Sequence, residues 1–265
     1  MDEPISPDLV RLRAALAERG RPARVVARTG STNDDARAWA AQGAPHGAVI
    51  VADTQERGRG RHGRVWSSPP GDSLAISIVV RPRVAPSALP PLALVAGLAA
   101  RRAIAARVEG AKVKWPNDVV LVTSGGGLRK IAGVLVEGSI AGARVESAIV
   151  GVGVNVARAE FPPELVDLAT SLARAGATDL ARLDRCALAL DLLDALDDEL
   201  AAWTLSPESI GARLSPHDAL RGRAVILESG ARGVADGIEA DGRLRVRVGE
   251  GTVHAHAGEV RLVSV

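Results

Sequence analysis

Residues 55–66 read QERGRGRHGRVW, and the classification of this stretch decides the fold. Its glycines, Gly58, Gly60 and Gly63, match the G-x-G-x-x-G spacing of a dinucleotide-binding loop. In a Rossmann fold that loop opens a helix whose N-terminus binds a pyrophosphate. Here residues 66–71 are WSSPPG, and consecutive prolines in such a stretch cannot form the first turns of a helix. The sequence therefore argues against a Rossmann domain and predicts a long loop.

Four arginines determine the chemistry of this loop: Arg57, Arg59, Arg61 and Arg64. Positive charges at this density repel one another unless an anion or a carboxylate neutralises them. The whole chain carries a formal net charge of only +2, so its composition does not indicate nucleic-acid binding. From this segment alone, an anion-binding loop and a solvated basic loop remain equally open.

Apolar runs on both sides of the loop predict a sheet of buried strands. Strands are predicted at 48–52 and 74–80, and also at 24–27, 119–122, 131–136 and 147–154. Helices are predicted at 7–19, 34–41, 89–107 and 184–202. This mixture is typical of an α+β fold with a mixed β-sheet flanked by helices.

The pattern changes after Pro216 to short alternating strands joined by turns, which predicts a small all-β module. Its strands are predicted at 224–228, 233–239, 242–248, 252–257 and 260–263. We expect three regions: a short N-terminal helical segment at 1–23, a main domain at 24–212 and the β module at 216–265. Arginines alternate with apolar residues at 243–248, a pattern more typical of a solvated strand face than of a nucleic-acid surface.

Composition places the chain among ordinary globular proteins, with 265 residues of which 47% are hydrophobic. The apolar stretches are interrupted well short of the ~20 residues that a membrane span needs, and the first residues lack a signal-peptide pattern. A cytoplasmic protein is therefore expected. The single cysteine, Cys186, excludes a disulfide framework and is expected to be a small buried side chain.

Four further short segments place polar residues at the ends of predicted strands. They are STN at 31–33, KVKWPNDVV at 112–120, KIAGVLVE at 130–137 and GVGVNV at 151–156. Each has an ordinary local explanation when taken alone, because Asn and Asp favour turns and a lysine at a strand end is usually solvated. The glycines of the last two segments mark places where a ligand or another part of the chain approaches the backbone.

Taken together and in this order, the segments resemble the biotin protein ligase family. The family pattern is a Ser-Thr-Asn turn, a Gln before a Gly-Arg-Gly-Arg-x-Gly-Arg-x-Trp loop, Lys-Trp-Pro-Asn-Asp, Lys-x-x-Gly-x-Leu-x-Glu and Gly-x-Gly-x-Asn, and every part is present. Within residues 28–156 the resemblance rests on specific motifs. In the rest of the chain it rests only on the general pattern of predicted elements. The resemblance implies a catalytic domain like that of class II synthetases, followed by a small SH3-like β-barrel.

The resemblance also implies a reaction and a set of residues. Biotin and ATP form biotinyl-AMP, and biotin then passes to a lysine of a biotin carboxyl carrier protein. The implied binding residues are Ser31, Thr32, Asn33, Gln55, Gly58, Arg59, Gly60, Arg61, Trp66, Lys114, Asn117, Lys130, Gly133 and Asn155. The implied catalytic residues are Lys130, Arg59, Arg61 and Asp118, and Asp118 is also the implied ligand of Mg²⁺.

Other implications concern partners and departures from the pattern. No nucleic-acid or membrane partner is expected, and a homodimer through a sheet edge stays open because no residue specifies it. Repressor activity is not expected, since fewer than thirty residues precede the first motif.

The family usually has Ala where this chain has Arg57, whose charge is expected either to pair with Glu56 or to alter the ordering of the loop.

Two alternatives remain open at this stage. A lipoate ligase or acyltransferase is similar in fold and chemistry, although the arginine loop and Lys-Trp-Pro-Asn-Asp favour biotin. A nucleic-acid-binding protein would also explain the arginine loop, and it predicts salt-sensitive DNA binding without ATP consumption.

Overall fold

The computed structural model of the chain describes residues 4–179 and 181–263. Its strands form one eight-stranded mixed sheet and one five-stranded antiparallel sheet. The strands of the large sheet are β1 Ala23–Thr29, β2 Val49–Arg59, β3 Val65–Ser68, β4 Ser73–Val80, β5 Ala111–Lys114, β6 Asp118–Val122, β7 Leu128–Ala141 and β8 Arg144–Asn155. They lie in the order β1-β2-β4-β8-β7-β6-β5, with β3 paired to β2. Strands β1 and β2 are parallel and the other pairs are antiparallel, so the predicted α+β fold is confirmed.

Helices cover this sheet and complete the core. They are α1 Pro7–Glu18, α2 Thr32–Ala41, α3 Leu92–Ala105, α4 Arg185–Leu205 and α5 Ile210–Leu214. All eight residues of β4 are buried, because its neighbours β2 and β8 pair with it and helices pack on the sheet. Helix α1 buries Leu9, Leu12 and Leu16 along one face, as their spacing of three and four residues predicts. Cys186 is buried, as expected.

A buried ion cluster connects α1 and α4 to the sheet. The guanidinium of Arg185 is 3% exposed and lies 2.7 Å from carboxylate oxygens of both Asp8 and Asp53. Burial, the largest single influence, raises the pKa of both carboxyls, but hydrogen bonds and charge from this arginine, together with hydrogen bonds from Ser6 to Asp53, outweigh it and lower both pKa values. The cluster therefore fixes the N-terminal helix against the centre of the fold.

The prediction of a long loop between the strands at 48–52 and 74–80 is wrong. Strand β2 continues to Arg59, the chain turns at Arg61–Gly63, and β3 pairs back antiparallel on β2. Strand pairing uses backbone groups and does not require apolar side chains, so an arginine-rich segment can form a hairpin. Gly58 makes this possible, because a Cβ there would overlap the backbone carbonyl of Trp66.

The C-terminal residues form the second sheet, in the order β12-β11-β10-β9-β13. Its strands are β9 Ala224–Leu227, β10 Arg232–Ile238, β11 Leu244–Val248, β12 Gly251–Ala255 and β13 Val260–Leu262. This arrangement agrees with the small β module that the sequence predicts. Apolar residues of the two sheets belong to one continuous core, and the indole of Trp115 donates a 2.9 Å hydrogen bond to the carbonyl of Gly242. Arg245 lies 3.2 Å from both Asp236 and Glu239, as on a solvated strand face.

One segment within the described residues, Pro86–Ala105, is long and apolar enough to be a candidate membrane span. Gly97, Arg101 and Arg102 interrupt its apolar residues, so the sequence did not predict a span there. Its most apolar part is 61% buried inside the fold, and α3 packs against α4 and the sheet. A core helix of a globular domain meets the same criterion, so the segment is weak evidence for a span.

Candidate active site

A cavity of about 740 Å³ opens above the large sheet. It lies between the β2–β3 hairpin, the start of α2, the β5–β6 turn and strands β7 and β8, and residues 258–261 of the small module form part of its rim. The predicted site residues on its wall are Ser31, Thr32, Asn33, Gln55, Arg59, Gly60, Arg61, Trp66, Lys114, Asn117, Asp118, Lys130, Gly133 and Asn155. Gly58 is not part of the wall, because it packs inside the hairpin.

One end of the cavity carries uncharged hydrogen-bonding groups. Ser31, Thr32 and Asn33 are at most 5% exposed and lie where β1 passes into α2. The side-chain carbonyl of Gln55 accepts a 2.8 Å hydrogen bond from the backbone N–H of Thr32. The hydroxyl of Ser31 makes no hydrogen bond to the described residues, and Ser31 lines the cavity. This end is therefore built to bind a neutral polar group.

Two glycines of β8 make room for side chains of this site. A Cβ on Gly151 would overlap the amide of Asn33, and a Cβ on Gly153 would overlap the indole of Trp66. The sequence predicts a close approach at both positions, and the structure shows that side chains of the protein make it. The Trp66 indole nitrogen is buried and has no hydrogen-bond partner among the described residues.

The other end of the cavity is cationic. The ammonium of Lys130 lies 2.7 Å from the carboxylate of Asp118 and 5.7 Å from the centre of a Trp66 ring. The backbone of Lys130 is held by residues 168–170, since its N–H donates to the carbonyl of Leu168 at 2.7 Å and its carbonyl accepts from Thr170 at 2.8 Å. The lysine is thus fixed at both its backbone and its side chain.

Lys114 differs from Lys130 because it has no hydrogen-bond or ion-pair partner among the described residues. Burial is the main cause that lowers the pKa of Lys114, and the nearby charge of Lys130 acts in the same direction while Asp118 opposes it. An unpaired, half-buried ammonium on a cavity wall favours an anionic ligand.

The arginine hairpin lies over the cavity and is held by protein groups. Arg59 lies 2.7 Å from the carboxylate of Asp34 and 3.0 Å from that of Glu137. Arg61 donates a 3.2 Å hydrogen bond to the side-chain carbonyl of Asn117, and Arg64 forms an ion pair with Glu259 of the small module. The loop is therefore anchored by carboxylates, and the mutual repulsion of its arginines is relieved.

Arg57 does not form the ion pair with Glu56 that was one of the two expectations for it. Glu56 lies 3.2 Å from Arg28, and the backbone N–H of Arg57 donates to the carbonyl of Gly30 at 2.9 Å. The guanidinium of Arg57 covers Gly30, where a Cβ would lie 3.1 Å from its Nη2. Arg57 therefore contributes to the outer side of the hairpin.

Two asparagines on the cavity wall hold the backbone in place. Asn155 donates a 3.0 Å hydrogen bond to the carbonyl of Thr170, and Asn117 donates a 2.6 Å hydrogen bond to the carbonyl of Val134. Since Thr170 also binds the carbonyl of Lys130, Asn155 acts on the segment that fixes this lysine.

Several wall residues were not predicted, and seven of them belong to the segment after β8. The guanidinium groups of Arg158 and Arg174 lie 5.0 and 5.4 Å from the centre of the Phe161 ring. Leu165 and Leu168 also line the cavity and are 39% and 61% exposed. The signal in the sequence was faint, because Phe161 is the only Phe of the chain and the segment has no motif.

Comparisons with known proteins agree with this geometry. A family model described as "Biotin/lipoate A/B protein ligase family" matches residues 25–155. The chain is 36% identical to the biotin--[acetyl-CoA-carboxylase] ligase of Mycobacterium tuberculosis over 246 residues, covering 89% of this chain and 87% of that relative. It is 39% identical to the bifunctional ligase/repressor BirA of Bacillus spizizenii, in a match that covers 57% of this chain and 46% of that relative. The chain therefore spans about half the length of BirA.

A solved structure extends the similarity to the whole fold. The biotin protein ligase from Aquifex aeolicus in complex with biotin and ATP matches with a TM-score of 0.75 at 28% sequence identity. The match covers 91% of this chain and 99% of that protein.

Proposed function

Because the chain belongs to the biotin protein ligase family, we propose that it activates biotin with ATP and transfers the biotinyl group to a lysine of an acceptor protein. The observation that carries this proposal is a single cavity with a neutral hydrogen-bonding end and a cationic end. Biotin has a ureido head with one carbonyl and two N–H groups, and a carboxylate at the end of its chain. The two ends of the cavity match these two groups.

In the first step a carboxylate oxygen of biotin attacks the α-phosphorus of ATP. A P–O bond forms, the bond to the bridging oxygen of the β-phosphate breaks, and pyrophosphate leaves. Two anions must meet for this to happen, so fixed positive charge is required. Lys130 and Lys114 at the cationic end, and Arg59 and Arg61 of the hairpin that covers the cavity, are the proposed sources of that charge.

In the second step the amine of the acceptor lysine attacks the acyl carbon of the mixed anhydride. A C–N bond forms, the bond from the acyl carbon to the phosphate oxygen breaks, and AMP leaves with that oxygen. The amine must lose a proton before it attacks. We assign both the orientation of this amine and the acceptance of its proton to the carboxylate of Asp118, which binds the ammonium of Lys130 at 2.7 Å.

Magnesium is proposed to enter with ATP and not as a resident ion. The described residues contain no group of three or more His, Cys, Asp or Glu side chains that could hold a metal ion. Asp118 is a carboxylate on the cavity wall, and one carboxylate together with substrate phosphates is a usual environment for Mg²⁺. The ion would supply neutralising charge to the phosphates, with Asp118 as its protein ligand.

The proposed acceptor is the carrier domain of a biotin-dependent carboxylase, and the proposed compartment is the cytoplasm. The M. tuberculosis relative is a biotin--[acetyl-CoA-carboxylase] ligase, which supports the choice of acceptor.

The test is the intact mass of a carboxylase carrier domain after incubation with the protein, biotin and magnesium-ATP. We expect a gain of one biotinyl group that requires ATP and is lost in Lys130→Ala. A gain with lipoate in place of biotin would reassign the chain to the related ligases. No gain with either acid, together with salt-sensitive DNA binding, would contradict the proposal in favour of a nucleic-acid-binding protein.

A further inference from the structure

The small C-terminal module contributes an arginine to the wall of the active-site cavity. Arg261 is the middle residue of β13 and pairs with Ile226 of β9. Its neighbours Val260 and Leu262 pack into the apolar core. Successive side chains of a strand point to opposite faces, so the side chain of Arg261 points away from that core. Arg261 lines the cavity on this outer face.

Arg261 is a free cation within the part of the chain that the structure describes. It makes no hydrogen bond and no ion pair there. Glu259, the nearest carboxylate in sequence, forms an ion pair with Arg64 of the hairpin. The guanidinium of Arg261 is therefore available to an anionic ligand.

A second free cation, Lys114, lies close to the same place. Burial lowers the pKa of Lys114, and the charges of Glu259 and Arg64 are among those that also act on it. Lys114 is therefore within electrostatic range of the ion pair between Arg64 and Glu259. Arg261 follows Glu259 by two residues, so their Cα atoms are at most about 7 Å apart, and both residues line the cavity. The two free cations thus flank one ion pair where the small module meets the hairpin.

The charges of the whole cavity wall favour a polyanion. Its described residues include seven Arg or Lys and three Asp or Glu side chains, a net charge of +4 with His62 neutral. Biotin brings a single carboxylate, which leaves most of this excess unbalanced. The polyphosphate of ATP is the substrate group that balances it.

We propose that Arg261 and Lys114 form the subsite for the β- and γ-phosphates of ATP, which leave together as pyrophosphate. The inference rests on the proposed function and names the residues that bind its leaving group. When the bond between the α-phosphorus and the bridging oxygen breaks, that oxygen keeps the electron pair and the pyrophosphate gains one negative charge. Arg261 and Lys114 break no ion pair of the protein when they bind this group, whereas Lys130 is already paired with Asp118 at 2.7 Å. The two free cations are therefore the better source of stabilisation for the leaving charge.

The test compares the affinities of ATP, AMP and pyrophosphate, measured by calorimetry with magnesium and without biotin. The proteins are the wild type, Arg261→Gln, Arg261→Lys and Arg247→Gln. Arg247 is the matched control because it is an exposed arginine of β11, has no partner among the described residues and is not on the cavity wall. Its substitution removes the same charge from the same module, so it reports the effect of net charge alone.

We expect Arg261→Gln to weaken the binding of ATP and pyrophosphate about 10-fold, the lower end for a hydrogen bond between charged groups because water screens an exposed arginine. The affinity for AMP should change less than about 2-fold, since AMP lacks both phosphates that the arginine binds. Arg261→Lys keeps the charge and should recover most of the affinity, and Arg247→Gln should bind all three ligands like the wild type. Lys114→Met should show the same selective loss as Arg261→Gln.

The outcomes separate this inference from the proposed function. Equal losses for ATP and AMP in Arg261→Gln would place the arginine near the adenosine or the α-phosphate and would overturn the subsite. An unchanged affinity for ATP would overturn it as well, and neither result affects the ligase function, which the carrier assay reports. A selective loss for ATP and pyrophosphate in a protein that adds no biotin to the carrier would support the subsite and contradict the ligase function. If the wild type binds no ATP, both proposals fail.

Discussion

Gly153→Ala should weaken the use of ATP while leaving the fold intact. Gly153 lies on β8 and is paired with Ala75 on one side and Gly133 on the other, so its backbone cannot shift to absorb a larger side chain. Its φ angle is not in the left-handed region, so alanine adds no backbone strain. The new Cβ would overlap the Trp66 indole. The ring must therefore leave its place on the cavity wall.

The magnitude follows from what the ring does there. We assign Trp66 to the wall of the adenine site, and stacking of a base on an aromatic side chain contributes about 1–3 kcal/mol. Loss of that contact raises the KM for ATP about 5- to 150-fold. Displacement of the ring should also lower the free energy of unfolding by about 1–3 kcal/mol. The KM for biotin should change much less, because the neutral end of the cavity is not touched.

The assay is the initial rate of carrier biotinylation, with ATP and biotin varied separately. Gly125→Ala is the matched control, since a Cβ there meets nothing within 4 Å and its φ is also not left-handed. A normal KM for ATP in a folded Gly153→Ala protein would refute the assignment of Trp66 to the nucleotide. An equal rise in both KM values would show instead that the whole cavity has been distorted.

Three further changes have defined outcomes. Burial lowers the pKa of Lys114, so the charged lysine destabilises the folded state below that lowered pKa, and the free energy of unfolding rises as pH rises from it toward the pKa of an exposed lysine. Lys114→Met should therefore raise the thermal midpoint at pH 7 while weakening ATP binding. A lower midpoint would contradict this. Arg185→Ala leaves the carboxylates of Asp8 and Asp53 buried without their cation, and urea titration should show a loss of about 3–5 kcal/mol in unfolding free energy; a loss below about 1 kcal/mol would mean that water replaces the arginine. Arg57→Ala should leave biotin affinity within a few-fold, because Arg57 covers Gly30 and is not part of the cavity wall; a much larger loss in a calorimetric titration would refute this.

The sequence predicted those parts of the fold that depend on local pattern. Apolar runs located the buried strands β4 and β8. The hairpin of β2 and β3 was missed because its strands are arginine-rich, and only their pairing with each other identifies them.

The candidate site shows the same division between local and distant contacts. Motif residues such as Lys130 and Asn33 were predicted because their neighbours in sequence are distinctive. Ser77 was not, because a serine in an apolar strand gives no signal until the fold brings it beneath Thr32, 45 residues away. Phe161 was missed for a related reason, since its segment carries no motif and lines the cavity only once the chain is folded.

The hydrogen bond from the Trp115 indole to Gly242 has a consequence for dividing this chain into complementing fragments. The small C-terminal sheet shares its apolar core with the large one, so a break in the linker before β9 would expose that core on both pieces. The turn between β7 and β8 is a better place to cut. Residues 140–144 there are exposed, and Gly142 has a left-handed φ of 58° typical of a tight turn. Fragments ending at this turn would regain activity only on reassociation, since each would carry part of the same cavity.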